Sequence, residues 1–350
     1  MALKDERLKP WTVEVQTCMN RKNLVTLLKL TVVISALVWL RRRVDFAGVG
    51  RVLAGANFWY LGAAVLLSWI PIFVSSFRWQ TLLKTLGLTL PLKSLACVTH
   101  IGQFFAVLVP GVAGDDGTRF FYISRLAPGR VKQACSTVLL DRALGFTSLF
   151  ILTAACIPLN WRLLSAQPST RLVAFAFLGT GAFLLLMSLV FLNCKQTFLE
   201  RSFSAVKTRF SSSAWVGELM DVASAFAGNR GRLCLVGFAA LVTQMVICCA
   251  FCLAGHAVGI HLPVWAWMSF VPVILVAGVL PVTFAGIGVR DYLLFLFLGT
   301  AAGVGAEADQ IAALSLLMLL FALLLAAIGG LVYLVYKPNK PAKHLAPAQV

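Results

Sequence analysis

The stretch Pro110-Gly111-Val112-Ala113-Gly114-Asp115-Asp116-Gly117-Thr118-Arg119 sets two carboxylates and an arginine among glycines, directly after an apolar run. A second stretch, Pro281-Val282-Thr283-Phe284-Ala285-Gly286-Ile287-Gly288-Val289-Arg290-Asp291, repeats the plan. Each opens on a proline and reaches an arginine nine residues later, with an acid nearby. A charged side chain at bilayer depth costs roughly 2.5 to 3.5 kcal/mol on insertion scales, and glycine-broken backbone needs partners that hydrocarbon lacks. Both stretches must therefore face protein or a watery cavity. Pro110, Gly111, Gly114, Pro281, Gly286 and Gly288 are read as the residues that break the helices there.

Working outward, the surrounding composition is that of a membrane protein. Of the 350 residues 60% are hydrophobic and 12% charged, against about 25% charged in a soluble domain. The net charge of +17 would suit nucleic acid in a soluble chain. Here the basic residues lie mostly in short segments between apolar runs, the pattern of cytoplasmic loops, so no nucleic-acid partner is expected. Lys4, Arg7, Lys9, Arg21 and Lys22 precede an apolar run that ends in Arg41-Arg42-Arg43 without a small-residue cleavage site, so the first helix is expected to stay attached. The nine cysteines fall mainly inside or at the ends of apolar runs, where cysteine behaves as a small hydrophobe. No disulfide is expected. Cys248-Cys249-x-x-Cys252 lacks a second ligand cluster at zinc-like spacing, so neither metal nor cofactor is expected.

Six full spans are expected, over residues 24–40, 58–77, 134–158, 171–194, 233–255 and 310–336. Residues 41–57 read as a surface helix, with Arg78 directly after the second span. Residues 94–133 and 264–303 are each too short or too polar for two full crossings and read as re-entrant hairpins around the two motifs. Residues 195–232 carry Leu199, Phe203, Val206 and Phe210, then Trp215, Leu219, Val222 and Phe226, at helical spacing; they read as two amphipathic cytoplasmic helices. With the hairpins entering from opposite faces and both termini cytoplasmic, the inner segments hold 21 Lys and Arg and the outer segments 6, as the positive-inside rule requires. The expectation is an all-α polytopic protein, a single integral membrane domain over 1–350. Its units 94–158 and 264–336 form an inverted repeat, the plan of many transporters.

Four motifs in order also carry a resemblance. Arg78-Trp79-x-x-Leu82-Leu83-x-x-x-Gly87, Pro110-Gly111 with Gly114-Asp115-Asp116-x-x-Arg119, Asp141-Arg142-x-x-Gly145, and Pro281 with Gly286-Ile287-Gly288-Val289-Arg290-Asp291 together resemble the flippase-like transmembrane region of lysylphosphatidylglycerol synthases. That family usually has a second glycine where Asp115 stands and a glutamate where Asp291 stands. The resemblance implies a bacterial inner-membrane location and a role in handling lipids or lipid-linked head groups. It also implies an absence: the soluble aminoacyl-transferring domain of the bifunctional synthases is not in this sequence, so no synthase activity is expected.

Arginine's planar fork binds phosphate bidentately and stays charged. Arg119, Arg290 and Arg142 are therefore the candidate lipid-phosphate ligands, with Asp115, Asp116, Asp141 and Asp291 balancing charge in the empty site. Asp141 and Arg142 are adjacent, so on a helix they diverge by about 100° and need other partners; Asp141 with Arg119 and Arg142 with Asp116 would close a cluster. Spacing to Arg119 favours Asp116 over Asp115 as the functional acid. The expected partner is an anionic or polyprenyl-phosphate membrane lipid, and the expected activity is translocation without catalysis. The alternatives are a membrane transferase acting on polyprenyl-phosphate-linked sugars and a non-transporting accessory subunit that docks through 195–232. No P-loop or dinucleotide fingerprint is present.

Overall fold

The computed structural model describes residues 46–109, 113–161, 165, 168–193, 229–279, 289–299 and 305–336. The expected first span at 24–40, nearly all of the amphipathic segment 195–232, and Pro110, Gly111, Pro281, Gly286 and Gly288 lie outside the described residues. The chain divides into two units, Met1–Arg51 and Val52–Val350. Apart from the start of the short helix α1, Phe46–Ala54, every described element belongs to the second.

Among the described residues all regular structure is helical. Helix α2, Phe58–Leu67, starts where the Asn57 side chain accepts the Trp59 amide at 3.0 Å, an N-cap that satisfies a donor the helix cannot. After a turn at Ser68-Trp69, α3 runs Ile70–Thr85 with Pro71 in its first turn, where a missing N–H costs nothing. The sequence reading closes this span at residue 77 and leaves Arg78 in the following segment. Instead the helix continues to Thr85, because its late polar residues are buried against protein: Gln80 Nε2 donates to the Leu90 carbonyl at 2.8 Å, and Arg78 is only 6% exposed. The true stop is Gly87. Its φ of +72° lets its own amide reach the Lys84 carbonyl and the Leu88 amide the Leu83 carbonyl, closing the last turn.

The first motif unit follows as α4, Leu92–Leu108, α5, Ala113–Leu126, and α6, Val131–Cys156. A 3-10 turn, Pro158–Asn160, is tied to a later helix by Asn160 Nδ2 donating to the Trp265 carbonyl at 2.9 Å. Helix α7, Pro168–Asn193, covers residues 171–193 of the expected span at 171–194, and α8, Arg230–Ala257, covers that at 233–255. The second unit is α9, Val264–Val279, α10, Val289–Leu298, and α11, Ala308–Val335, the last opened by a reciprocal Glu307–Gln310 capping box.

Among the described residues four stretches are long and apolar enough to cross a membrane: Phe58–Thr85, Val131–Cys156, Gly231–Ala257 and Ala308–Val335. The hairpin helices are shorter. At 1.5 Å per residue, the 17 residues of α4 and the 16 of α9 reach only about 24 to 26 Å, less than the roughly 30 Å hydrocarbon core. Each unit therefore runs short helix, motif, short helix, long helix.

The packing between the units is reciprocal. Helix α4 packs on α11, the long helix of the second unit, and α9 packs on α6, the long helix of the first. Close approach at the α4–α11 crossing depends on Gly329, where a Cβ would collide with the His100 carbonyl. Close approach within the first hairpin depends on Gly114, where a Cβ would strike the Phe105 carbonyl. The apolar core beside this hairpin includes Trp79, Leu83, Leu95, Ile101 and Ile123, each fully buried.

Candidate functional site

The first motif does not remain a loop. Helix α5 begins at Ala113, so Asp115 and Asp116 occupy its first turn, where the helix dipole favours negative charge. Arg119 falls one turn later on the face of Asp115. Its Nε donates to Asp115 Oδ1 at 3.2 Å, the i,i+4 pairing that a continuous helix selects. The sequence reading, in which spacing to Arg119 favours Asp116 as the functional acid, does not anticipate this pairing with Asp115. Asp116 turns to α6 and accepts from Arg142 Nε at 2.7 Å. Asp115 is held against α4 at Gly102, where any Cβ would meet its carboxylate.

Asp141, on α6, completes the network and is 3% exposed. It accepts from Arg119 Nη1 at 3.2 Å and takes both Nε and Nη2 of Arg78, the latter at 3.0 Å. Arg142 also donates through Nη2 to Asp115, and Arg119 through Nη2 to Ser75 Oγ at 3.2 Å. The Arg119 guanidinium lies 5.3 Å from the centre of the Trp79 ring, within cation–π range. Trp79 is itself fixed by donating from Nε1 to Thr137 Oγ1 at 3.1 Å. Three arginines thus meet three aspartates, drawn from α3, α5 and α6. Both pairings expected from the sequence, Asp141 with Arg119 and Arg142 with Asp116, are present.

The second motif contributes Arg290 and Asp291 at the start of α10. Arg290 Nη2 donates to the carbonyl and the hydroxyl of Ser315 on α11, at 3.2 and 3.1 Å, and its Nε lies 3.6 Å from Asp291 Oδ1. Ser315 Oγ donates in turn to Asp291. Arg290 makes no direct bond to the first network. It does line the same cavity, a space of about 520 Å³ bounded also by Arg78, Asp115, Arg119, Asp141 and Arg142. The remaining wall is largely apolar and includes Ile72, Leu149, Ile247, Phe251, Ile274 and Phe321. Asp116 and Asp291 are not part of it, so the wall presents four arginines against two aspartates although the eight residues balance. Both motifs thereby reach one chamber of ligand-binding size. The chain belongs to the lysylphosphatidylglycerol synthase transmembrane-region family. That family's model matches residues 26–343; none of the curated proteins matches the chain. The family has a membrane, lipid-related character, and the chain is a multi-pass membrane protein.

Several residues of this family member's chamber are not among the candidates that its sequence singles out. Arg78 reads as a flanking charge, yet it lies in the same motif as Trp79 and ahead of Gly87. The Gly87 stop signal is the feature that keeps it inside the helix. Ser75, Thr99 and Gln244 on the wall, and Ser315 behind Arg290, leave no signal beyond being polar residues in apolar runs. Four buried polar atoms on cavity-lining residues have no hydrogen-bond partner in the protein: Arg78 Nη1, Thr99 Oγ1, Gln244 Oε1 and Arg290 Nε. Leaving such a group unpaired costs about 1 to 3 kcal/mol, which a bound ligand or water would recover. Among the described residues no group of three or more His, Cys, Asp or Glu is arranged to hold a metal ion. Chemically, the chamber offers hydrogen-bond donors to an anion at its charged wall and an apolar surface to a hydrocarbon chain.

Proposed function

We propose that the chain is a non-enzymatic lipid translocase that moves a phosphate-bearing lipid, anionic or polyprenyl-phosphate in class, between the leaflets of a bacterial inner membrane. The observation that carries this reading is the shared chamber: arginines from both motif units and from α3 line one amphipathic space. Arginine forks match phosphate geometry, and the apolar wall suits the lipid's chains. The reciprocal packing of α4 on α11 and of α9 on α6 supports an inverted repeat. Such a repeat, rocking about a central site, exposes that site to either side in turn. With both termini cytoplasmic, the basic segment 195–232 lies on the inner face, where anionic lipid attracts it.

The test is transport in liposomes of defined lipid. Purified protein should speed the movement of a fluorescent phosphatidylglycerol or polyprenyl-phosphate analogue from inner to outer leaflet, read by an impermeant quencher. If every lipid class stays in its leaflet while a polyprenyl-phosphate-linked sugar is consumed, the protein is a transferase and the proposal fails.

A further inference from the structure

The bonding of the arginines around the chamber separates Arg119, whose three guanidinium nitrogens are all engaged within the protein, from those with a donor to spare. Arg119 is 3% exposed, and its Nε, Nη1 and Nη2 are engaged by Asp115, Asp141 and Ser75. Arg142 has Nε on Asp116 and Nη2 on Asp115, and with a side chain 32% exposed its remaining Nη1 is open to water. Arg78 differs. Asp141 grips its Nε and Nη2 together, which fixes the plane of the guanidinium. Nη1 is then left at the far corner, buried and unpaired, on a side chain that lines the chamber.

We propose that Arg78, through Nη1, is the principal donor to the ligand's phosphate oxygens, with the Thr99 hydroxyl and Nε of Arg290 as the supporting donors. This rests on the reading of the chamber as a site for a phosphate-bearing lipid. Three donors from three helices, α3, α4 and α10, have no acceptor at hydrogen-bond distance in the protein, Nε of Arg290 standing in a longer ion pair with Asp291 at 3.6 Å, and belong to residues on the wall of one space. A phosphate supplies several strong acceptor oxygens with no proton of its own to place. Arg78 is held for this by an aspartate on one edge, and Arg290 by Ser315, so both guanidinium groups are oriented before a ligand arrives. The apolar remainder of the wall favours a phosphate that carries hydrocarbon chains over free phosphate.

The experiment measures binding by the purified full chain in detergent, using dioctanoyl phosphatidylglycerol, dioctanoylglycerol with the same chains and no phosphate, and inorganic phosphate. Wild-type protein should bind the phosphate-bearing lipid at least tenfold more tightly than dioctanoylglycerol, and inorganic phosphate more weakly than the lipid. Arg78→Lys keeps a cation for Asp141 but removes Nη1. The preference for the phosphate-bearing lipid should fall at least tenfold, with dioctanoylglycerol affinity within twofold of wild type. Thr99→Val is close to isosteric and removes an unpaired hydroxyl, so it folds even if the arginine variant does not, and it should lower the same preference threefold or more. If the preference survives in Thr99→Val, and in Arg78→Lys where that variant folds, the donor assignment is wrong while the lipid reading stands. If wild-type protein shows no preference for the phosphate-bearing lipid, the lipid-phosphate reading itself falls. Inorganic phosphate binding as tightly as the lipid would overturn the choice of a lipid source.

Discussion

Replacing Asp141 with asparagine tests the electrostatic logic of the site at its centre. The carboxylate is 3% exposed and accepts three hydrogen bonds, two from Arg78 and one from Arg119, both of which are also buried. Asparagine preserves the shape and one acceptor oxygen but removes the charge, leaving three arginines against two aspartates. Breaking a buried pair by removing one partner costs about 3 to 5 kcal/mol. Of the charge-assisted bonds, each worth about 1.5 to 3 kcal/mol, at least one is lost outright. The expected loss for Asp141→Asn is therefore about 3 to 4 kcal/mol, read by equilibrium unfolding in detergent with circular dichroism and tryptophan fluorescence. The double change Asp141→Asn with Arg78→Gln restores neutrality to the network and should recover at least about 1.5 kcal/mol of that loss, within the range of couplings between contacting residues. A loss below about 1 kcal/mol for the single change, or a double change as damaging as the two singles added, would refute the buried-network account.

The other expectations concern packing, insertion and transport. Gly114→Ala drives a methyl group into the Phe105 carbonyl, whereas Gly117, in the same helix, has open space at its Cβ position. Unfolding of the two variants should show Gly114→Ala losing about 1 to 3 kcal/mol and Gly117→Ala gaining about 0.5 to 1 kcal/mol. Arg290→Lys keeps the charge but gives up the fork that reaches Ser315, so lipid movement should fall tenfold or more while membrane insertion survives. Wild-type transport in that variant would remove Arg290 from the site. Of the compensating pairs, Asp115→Asn rather than Asp116→Asn should restore the expression lost in Arg119→Ala, because Asp115 is the acid that Arg119 holds. Cysteines placed at Ser212 and Pro263 should label from opposite sides of the membrane in intact cells; labelling from one side would remove the topological basis of the inverted repeat.

Part of this architecture is legible in the sequence, and the rest is concealed for identifiable reasons. Apolar runs interrupted by proline, glycine and charge locate both hairpins, because hydrocarbon tolerates neither open backbone nor unpaired charge. The pairings across α5 and α6 can be anticipated because adjacent residues on a helix diverge, so Asp141 and Arg142 have to look outward. Which of Asp115 and Asp116 pairs with Arg119 is hidden because i,i+3 and i,i+4 neighbours both meet on a helix; Asp116 is drawn off by Arg142 on α6, leaving Asp115 to Arg119. Arg78 escapes notice because a cation at the end of an apolar window looks like an interfacial anchor. Only the Gly87 turn and the burial of Gln80 and Thr81 reveal that the helix goes on. Removing the buried Arg78 and Arg119 from the inner charge count leaves 19 against 6, so the topological argument survives the correction. The partners supplied by Ser75, Ser315 and Thr99 depend on which helices touch, which no local pattern encodes.

The balance of four arginines and four aspartates constrains how the proposed translocase would work. An empty chamber with uncompensated positive charge would be expensive inside a bilayer, since desolvated ions must be paired to be tolerated. Neutralising the arginines with the protein's own aspartates removes that cost, but under the proposed function an incoming phosphate would exchange with carboxylates instead of meeting bare cations. Binding then rests on a difference between two sets of charge-assisted bonds. Such a difference is smaller than either set, so the phosphate can be released as well as captured. Nη1 of Arg78, without a hydrogen-bond partner in the protein, lies outside this exchange and would give a phosphate a bond that no carboxylate must surrender. A carrier needs that combination: enough unpaired donors to select a phosphate, and enough internal competition that neither leaflet traps it.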